Sequence, residues 1–247
     1  MNQELPSLRA PATRSLSWFD TWIRAVTKPS VANFEEIARD PGASLGRAYL
    51  WVALASIISS LISTLVITLQ GTFSSLMSEQ MGEGVGGILF GSSIGTILCG
   101  VPILVIVGLI GFTIITGVIQ LIAKLLGGVG TFTATAYVVS AIGFSLGIVT
   151  SLLTLLNIIP FLACLTAPIL IALGIYGIAL QVIAVKAVHQ FGWGSAVISV
   201  LGLVILLAIL GACVAAVVVA GLATLAPSIG NVFSNVLEGL VTPIPPY

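Results

Sequence analysis

Residues 125–185 read LLGGVGTFTATAYVVSAIGFSLGIVTSLLTLLNIIPFLACLTAPILIALGIYGIALQVIAV, and these 61 residues include no Asp, Glu, Lys or Arg. An α-helix needs about 20 apolar residues to cross the roughly 30 Å hydrocarbon core of a bilayer. The run is long enough for two crossings, and Asn157 and Pro160 interrupt it with a turn-prone residue and a helix breaker. This stretch therefore predicts two consecutive membrane-spanning helices.

The whole chain has the composition of a membrane protein. Of its 247 residues, 58% are hydrophobic and only 6% are Asp, Glu, Lys or Arg, against roughly 25% in an ordinary soluble domain. A surface in water needs more charge than this, which excludes a soluble globule. The eight basic and eight acidic side chains give a formal net charge of zero. There is therefore no basic face that would attract nucleic acid.

Five charge-poor segments are long enough to span a bilayer, at about 48–69, 101–122, 132–153, 166–185 and 195–216. They predict an all-α, polytopic integral membrane protein with five transmembrane helices, preceded by short cytoplasmic interfacial helices. The predicted domains are a cytoplasmic amphipathic segment at 1–47, a transmembrane domain at 48–226 and an extracytoplasmic tail at 227–247.

Basic residues indicate the orientation, because Lys and Arg near span ends stay on the cytoplasmic side. Six of the eight precede the first span, and Lys124 and Lys186 follow the second and fourth. Five crossings place all eight on one side, which predicts a cytoplasmic amino terminus and an extracytoplasmic carboxyl terminus. Residues 85–100, which are rich in glycine, allow an external loop, a re-entrant segment or an extension of the second span.

The amino-terminal segment combines aromatic and charged residues at helical spacing. Trp18 and Trp22 lie four residues apart, with charged residues on other faces. Pro29 ends this helix, and Ser30 can cap a second one whose apolar side includes Phe34. Indole rings prefer the headgroup level of a bilayer. We therefore expect Trp18, Trp22 and Phe34 to be interfacial anchors or contacts to a protein partner.

Several positions also resemble those of a known family. They are Trp22, Arg24, Ala25, Pro29, Asn33 and Phe34, the turn at Asp40 and Pro41, and the short turns at 126–132 and 188–193. Together with five spans, this pattern resembles the prokaryotic branch of the Yip family, named after Ypt-interacting proteins. The resemblance implies a multi-pass protein of the plasma membrane without a defined activity. The chain lacks the acidic, Tyr-Gly-Pro-containing motif of the eukaryotic members that contact Rab GTPases, so the resemblance does not extend to GTPase binding.

The sequence offers no set of residues that is typical of catalysis, a cofactor or a metal. Its one histidine, His189, is expected in a solvated loop after the fourth span. Cys99, Cys164 and Cys213 lack metal-ligand spacing and are typical of small packing residues. No glycine-rich loop ends in Lys followed by Ser or Thr, which excludes a phosphate-binding loop of that type. We therefore expect no enzyme activity, no cofactor and no metal site.

Helix packing and protein contact explain more residues than catalysis does. Gly143 and Gly147 form a GxxxG pair, which predicts a close helix contact within the chain or in a homo-oligomer. We predict a non-catalytic organiser or adaptor in the lipid bilayer that binds another protein. Besides the aromatic residues above, its expected contact surface includes the cytoplasmic turns marked by Lys124, Gly128, Lys186 and Trp193.

The alternative function is a transporter or channel for a small neutral solute, or an accessory subunit of one. The predicted spans contain no ionisable group of the kind that ion-coupled transporters place in the membrane. They do contain Tyr137, Tyr176 and Gln181, which are neutral polar residues that a solute site could use.

Overall fold

The computed structural model describes residues 15–77 and 100–241. Within them the α-helices are α1 (Trp18–Thr27), α2 (Val31–Ala38), α3 (Leu45–Met77), α4 (Val101–Leu125), α5 (Phe132–Leu155), α6 (Ala163–His189) and α7 (Trp193–Val241). Two short 3-10 turns, Leu156–Ile158 and Pro160–Leu162, join α5 to α6. The prediction for 85–100 lies outside the described residues, apart from Gly100.

Five helices are long and apolar enough to cross a membrane within the described residues. They cover Leu45–Gly71, Val101–Leu125, Phe132–Ile158, Ala163–His189 and Trp193–Ala223. This confirms the prediction of an all-α, polytopic membrane protein with five transmembrane helices. The helices run past the predicted spans at several ends, because a helix continues beyond the hydrocarbon until a turn or a cap stops it. The largest difference is in α7, which continues through Pro227 to Val241.

The two short helices begin at side-chain caps, as the sequence indicated for α2. The Ser17 hydroxyl accepts from the backbone N–H of Asp20, and the Ser30 hydroxyl accepts from that of Asn33. The Asn33 amide then donates to the carbonyl oxygens of Arg24 and Lys28, both at 3.0 Å. These bonds satisfy polar groups that helix ends leave open, and they close α1 and α2 into a helical hairpin.

Helix α5 is the centre of the first compact part of the chain. It contacts α3, α6, α1, α4 and α2. Its residues Thr135–Ile142 are all buried, on every face of the helix. The short helices α1 and α2 therefore pack against α5 and α6 and form part of the core.

The chain divides into two compact units, Met1–Leu201 and Gly202–Tyr247. The described part of the second unit is the remainder of α7, which is apolar along its length with one charged residue, Glu238. All packing and all sites described below belong to the first unit.

Candidate functional site

Aromatic rings join the amino-terminal hairpin to the transmembrane helices. The Trp22 ring on α1 stacks on Phe144 of α5 with centroids 4.0 Å apart, and it lies 5.7 Å from the ring of Trp51 on α3. Trp51 is fully buried and lies 4.8 Å from the ring of Tyr137. Trp18 is at the edge of this group and remains 37% exposed. The rings thus fix α1 against two membrane helices.

Asp40 fixes the end of the hairpin from within the same region. Its carboxylate is buried and accepts hydrogen bonds from the backbone N–H of Gly42 at 2.9 Å and of Leu16 at 3.3 Å. The hydroxyl of Tyr137 donates to its second oxygen at 3.3 Å. A buried carboxylate needs such partners. The sequence indicated a turn at Asp40 but not this structural role, because Tyr137 is 97 residues away.

The structure places Phe34 in the core, where none of its side chain is exposed. It packs in one cluster with Ala25, Ile37, Leu180 and Ala184. Phe34 is therefore neither an anchor in the interface nor a contact on the surface of this fold, and its apolar ring stabilises the hairpin against α6. The amphipathic pattern identified its buried side correctly, but it did not distinguish burial in lipid from burial in protein.

Two side chains of the membrane helices bond the hairpin backbone directly. The Ser145 hydroxyl of α5 donates to the carbonyl oxygen of Trp22 at 3.0 Å, and the Tyr176 hydroxyl of α6 donates to that of Val26. Both bonds leave the opposite side of α1 free. On that side Phe19 is 67% exposed and Ile23 is 45% exposed.

The first of the two short turns, residues 126–131, packs two of its glycines, Gly128 and Gly130, into the bundle, while the other four residues are exposed. Helix α4 ends at Leu125. Gly127 follows the cap residue with φ +87°, and the N–H of Gly128 donates to the carbonyl oxygen of Ala123 at 2.8 Å. This is the Schellman arrangement, which favours glycine because other residues resist the left-handed conformation. A Cβ built on Gly128 would lie 2.6 Å from Nδ1 of His189. Gly128, expected on a contact surface, is buried.

His189 is buried at 1% exposure, so the expectation of a solvated loop residue was wrong. Its Nε2 atom lies 3.2 Å from the hydroxyl of Thr135, which also donates to Oε1 of Gln120 at 2.8 Å. The Gln120 amide donates in turn to the carbonyl oxygen of Gly130 at 2.9 Å. The turn folds over the histidine, and this enclosed network joins α4, α5 and α6.

The sequence could have indicated this network only weakly. Gln120, Thr135 and His189 are polar residues near the ends of three apolar segments, where polar side chains are also expected in water or among headgroups. Their contact arises because the turn at 126–131 brings three helix ends together. That is a property of the tertiary structure and not of any one segment.

The second turn, residues 190–192, is open by comparison. Gln190 ends α6 in the left-handed conformation, with φ 55°. The Lys186 ammonium lies 5.0 Å from the ring centroid of Trp193 and donates to the carbonyl oxygen of Phe191 at 3.3 Å. Trp193 is 53% exposed, and Lys124 at the first turn is exposed as well. Of the predicted turn residues, Lys124 and Trp193 are therefore accessible.

Gly143 and Gly147 line an open space between helices. A Cβ built on either glycine would meet no atom within 4 Å, so this pair does not mark a close contact within the described part of the chain. The close approaches occur instead at Gly108, where a Cβ would lie 2.9 Å from the hydroxyl of Ser56, and at Gly177, where it would lie 3.0 Å from Leu146. A GxxxG spacing indicates a small-residue face but does not choose its partner.

The three residues that a solute site could use, Tyr137, Tyr176 and Gln181, do not share one site. The hydroxyls of Tyr137 and Tyr176 bond within the chain, as described above, whereas Gln181 lines the space beside Gly143. Among the residues that the structure describes, no group of three His, Cys, Asp or Glu side chains is placed to hold a metal ion.

Comparison with known proteins agrees with this architecture. The sequence model of the Yip1 domain family matches residues 23–216, which include part of α1, all of α2, the described residues of α3 to α6 and the first part of α7. Comparison with curated proteins and with solved structures gave no match. Because the family match covers most of the chain and coincides with five membrane-capable helices, the protein belongs to the Yip1 domain family.

Proposed function

We propose that this protein is a non-catalytic organiser or adaptor of Yip type, and that the exposed face of α1 is its docking surface for another protein. The observation that carries the proposal is the pairing of Phe19 and Ile23, one helical turn apart and both exposed. The other side of the same helix is fixed by Trp22 against Phe144. A partner would meet a surface that is already ordered, which lowers the entropic cost of binding.

Charges around this apolar pair favour a protein partner over lipid tails. Asp20 follows Phe19 directly, and Arg24, next to Ile23, forms a 2.9 Å ion pair with Glu36 of α2. An apolar patch with a polar rim is typical of protein interfaces. Lys124 and Trp193, which are exposed at the turns, form a second candidate contact site. The alternative partner is a second copy of the chain.

A non-catalytic role is supported by the position of the one histidine. General acid or base catalysis needs a group within hydrogen-bond reach of the substrate. His189 is enclosed by Thr135, Gly128 and Gly130, so its ring serves the packing of the turn.

Photocrosslinking in the native membrane tests the docking surface. We would replace Phe19 with p-benzoylphenylalanine and, as the matched control, do the same at Phe161, which is 74% exposed between α5 and α6. The expected result is a discrete protein adduct at position 19 that is lost with Ile23→Ser, and no such adduct at position 161. Adducts to lipid alone at position 19 would refute the proposal.

We also propose that the amino terminus is cytoplasmic, that the carboxyl terminus is extracytoplasmic, and that the protein lies in the plasma membrane. The support is that Lys124 and Lys186 lie in the last turns of α4 and α6, and that Asp40, where the basic hairpin ends, accepts a hydrogen bond from Tyr137 near the start of α5. Cysteines placed at positions 24, 124 and 186 should all react with an impermeant maleimide from one face. Labelling of position 124 only from the face opposite to that of position 24 would refute the assignment.

A further inference from the structure

A cavity of about 410 Å³ lies among α3, α4, α5 and α6. Small residues create it: Gly143 and Gly147 of α5 face it without a neighbour within 4 Å of a built Cβ, and Ser56 and Gly108 form its opposite wall. Gln181 of α6 also lines it. Its volume lies in the range of small-molecule sites in proteins.

The cavity lies at the level where the amino-terminal hairpin packs on the membrane helices, because Phe144 in its wall stacks on Trp22 of α1. Ser56, Gly147 and Gln181 are about 12 to 23 Å along their helices from Leu45, Phe132 and His189, at 1.5 Å per residue. A hydrocarbon core is roughly 30 Å thick. A molecule in this space would therefore lie among the apolar transmembrane helices, away from their ends and next to the hairpin.

Two polar side chains in the cavity lack partners within the described part of the chain. The hydroxyl of Ser59 pairs with that of Ser151 at 2.8 Å, and the hydroxyl of Ser140 donates to the carbonyl oxygen of Tyr137 at 2.9 Å. The hydroxyl of Ser56 and the amide of Gln181 make no such bond. An unsatisfied polar group is costly where water is absent. These two groups are thus available to a bound molecule.

We propose that this cavity binds a membrane-soluble neutral molecule with an apolar body and one hydroxyl or carbonyl group. The Gln181 amide and the Ser56 hydroxyl would bond its polar group, and the apolar body would lie against the rings and aliphatic side chains of the wall, Val52, Phe112, Ile115, Val139 and Phe144. None of the described residues that line the cavity carries a charge, so they offer a charged molecule no counter-charge. The mostly apolar wall favours entry from the bilayer over passage of a polar solute.

Photolabelling of the purified full chain in phosphatidylcholine nanodiscs tests this site. The probe is hexadecanol with a diazirine in its chain, and the comparison probe is the same hydrocarbon without the hydroxyl group. We expect hexadecanol adducts on cavity residues, and we expect Gln181→Leu combined with Ser56→Ala to reduce them about fivefold or more through the lost hydrogen bonds. Labelling by the hydrocarbon probe should not change.

A second pair of variants separates occupancy from misfolding. Gly143→Leu places a side chain in the cavity, whereas Gly117→Leu adds the same side chain on α4 at a position with no atom within 4 Å of its Cβ. Gly143→Leu should abolish hexadecanol labelling and keep the elution volume of the unmodified chain, and Gly117→Leu should keep both. Equal labelling by the two probes, or labelling that is unchanged in the double variant, would refute the site. Glycerol flux through proteoliposomes that depends on Gln181 would overturn it in favour of a polar-solute path.

Discussion

The enclosed core around α5 and the open region at 190–193, which includes the first residue of α7, contain the same residue types in opposite surroundings. Trp51 is fully buried among aromatic rings, whereas Trp193 is half exposed beside Lys186. Gly128 is pressed against His189, whereas a Cβ on Gly192 would meet nothing within 4 Å. The comparison shows that the contribution of a Trp or Gly residue to stability depends on whether other helices pack against it, and not on its residue type.

Replacement of a buried ring should break the enclosed core most severely. Trp51→Ala is expected to lower the free energy of unfolding by about 3–5 kcal/mol, because a large cavity would remain among α1, α3 and α5. Trp193→Ala should cost about 1 kcal/mol or less, since the ring loses only an exposed contact with Lys186. Equilibrium unfolding in bicelles, followed by circular dichroism, measures both. Equal losses in the two variants would contradict the contrast.

A smaller effect on stability is expected when a single methyl group is added at either turn, at 126–131 or at 190–192. Gly128→Ala should destabilise the protein by about 1–3 kcal/mol, because the new Cβ would lie 2.8 Å from the carbonyl oxygen of Ala123 and 2.6 Å from His189. Gly192→Ala, at the open turn, should change stability by less than about 0.5 kcal/mol. The same unfolding assay applies. Tolerance of Gly128→Ala would show that the turn is not packed on the histidine.

The smallest effect is expected at the charged rim of the hairpin. Arg24→Gln removes the 2.9 Å ion pair with Glu36, but both side chains are substantially exposed. The loss should be about 0.2–1 kcal/mol at low salt, and it should shrink as salt screens the pair. Stability measured at low and at high ionic strength checks this. A salt-independent loss larger than that of Gly128→Ala would mean that the rim, and not the enclosed core, holds the hairpin in place.

Sequence patterns predicted the membrane helices well because hydrocarbon acts on each segment separately. The 61 uncharged residues after Lys124 could only become helices in lipid, and α5 and α6 begin and end within a few residues of the predicted spans. The helix cap at Ser30 and the helix break at Pro29 were also predictable, because each depends only on neighbouring residues in the chain. The residues that bind helices to one another were not predictable in this way, because Asp40 and Tyr137 or Thr135 and His189 are far apart in sequence.

The sequence by itself determined that the chain is helical, that it crosses a membrane, and where most of its crossings begin and end. A charge-free segment in lipid must satisfy its own backbone hydrogen bonds, and a helix achieves this without any partner. Only the tertiary structure decided that Phe34 and His189 are enclosed, that Phe19 and Ile23 remain available, and that Ser56 and Gln181 face one cavity. Those outcomes depend on how helices separated in sequence pack side by side, and the spacing of residues along one helix does not contain that information.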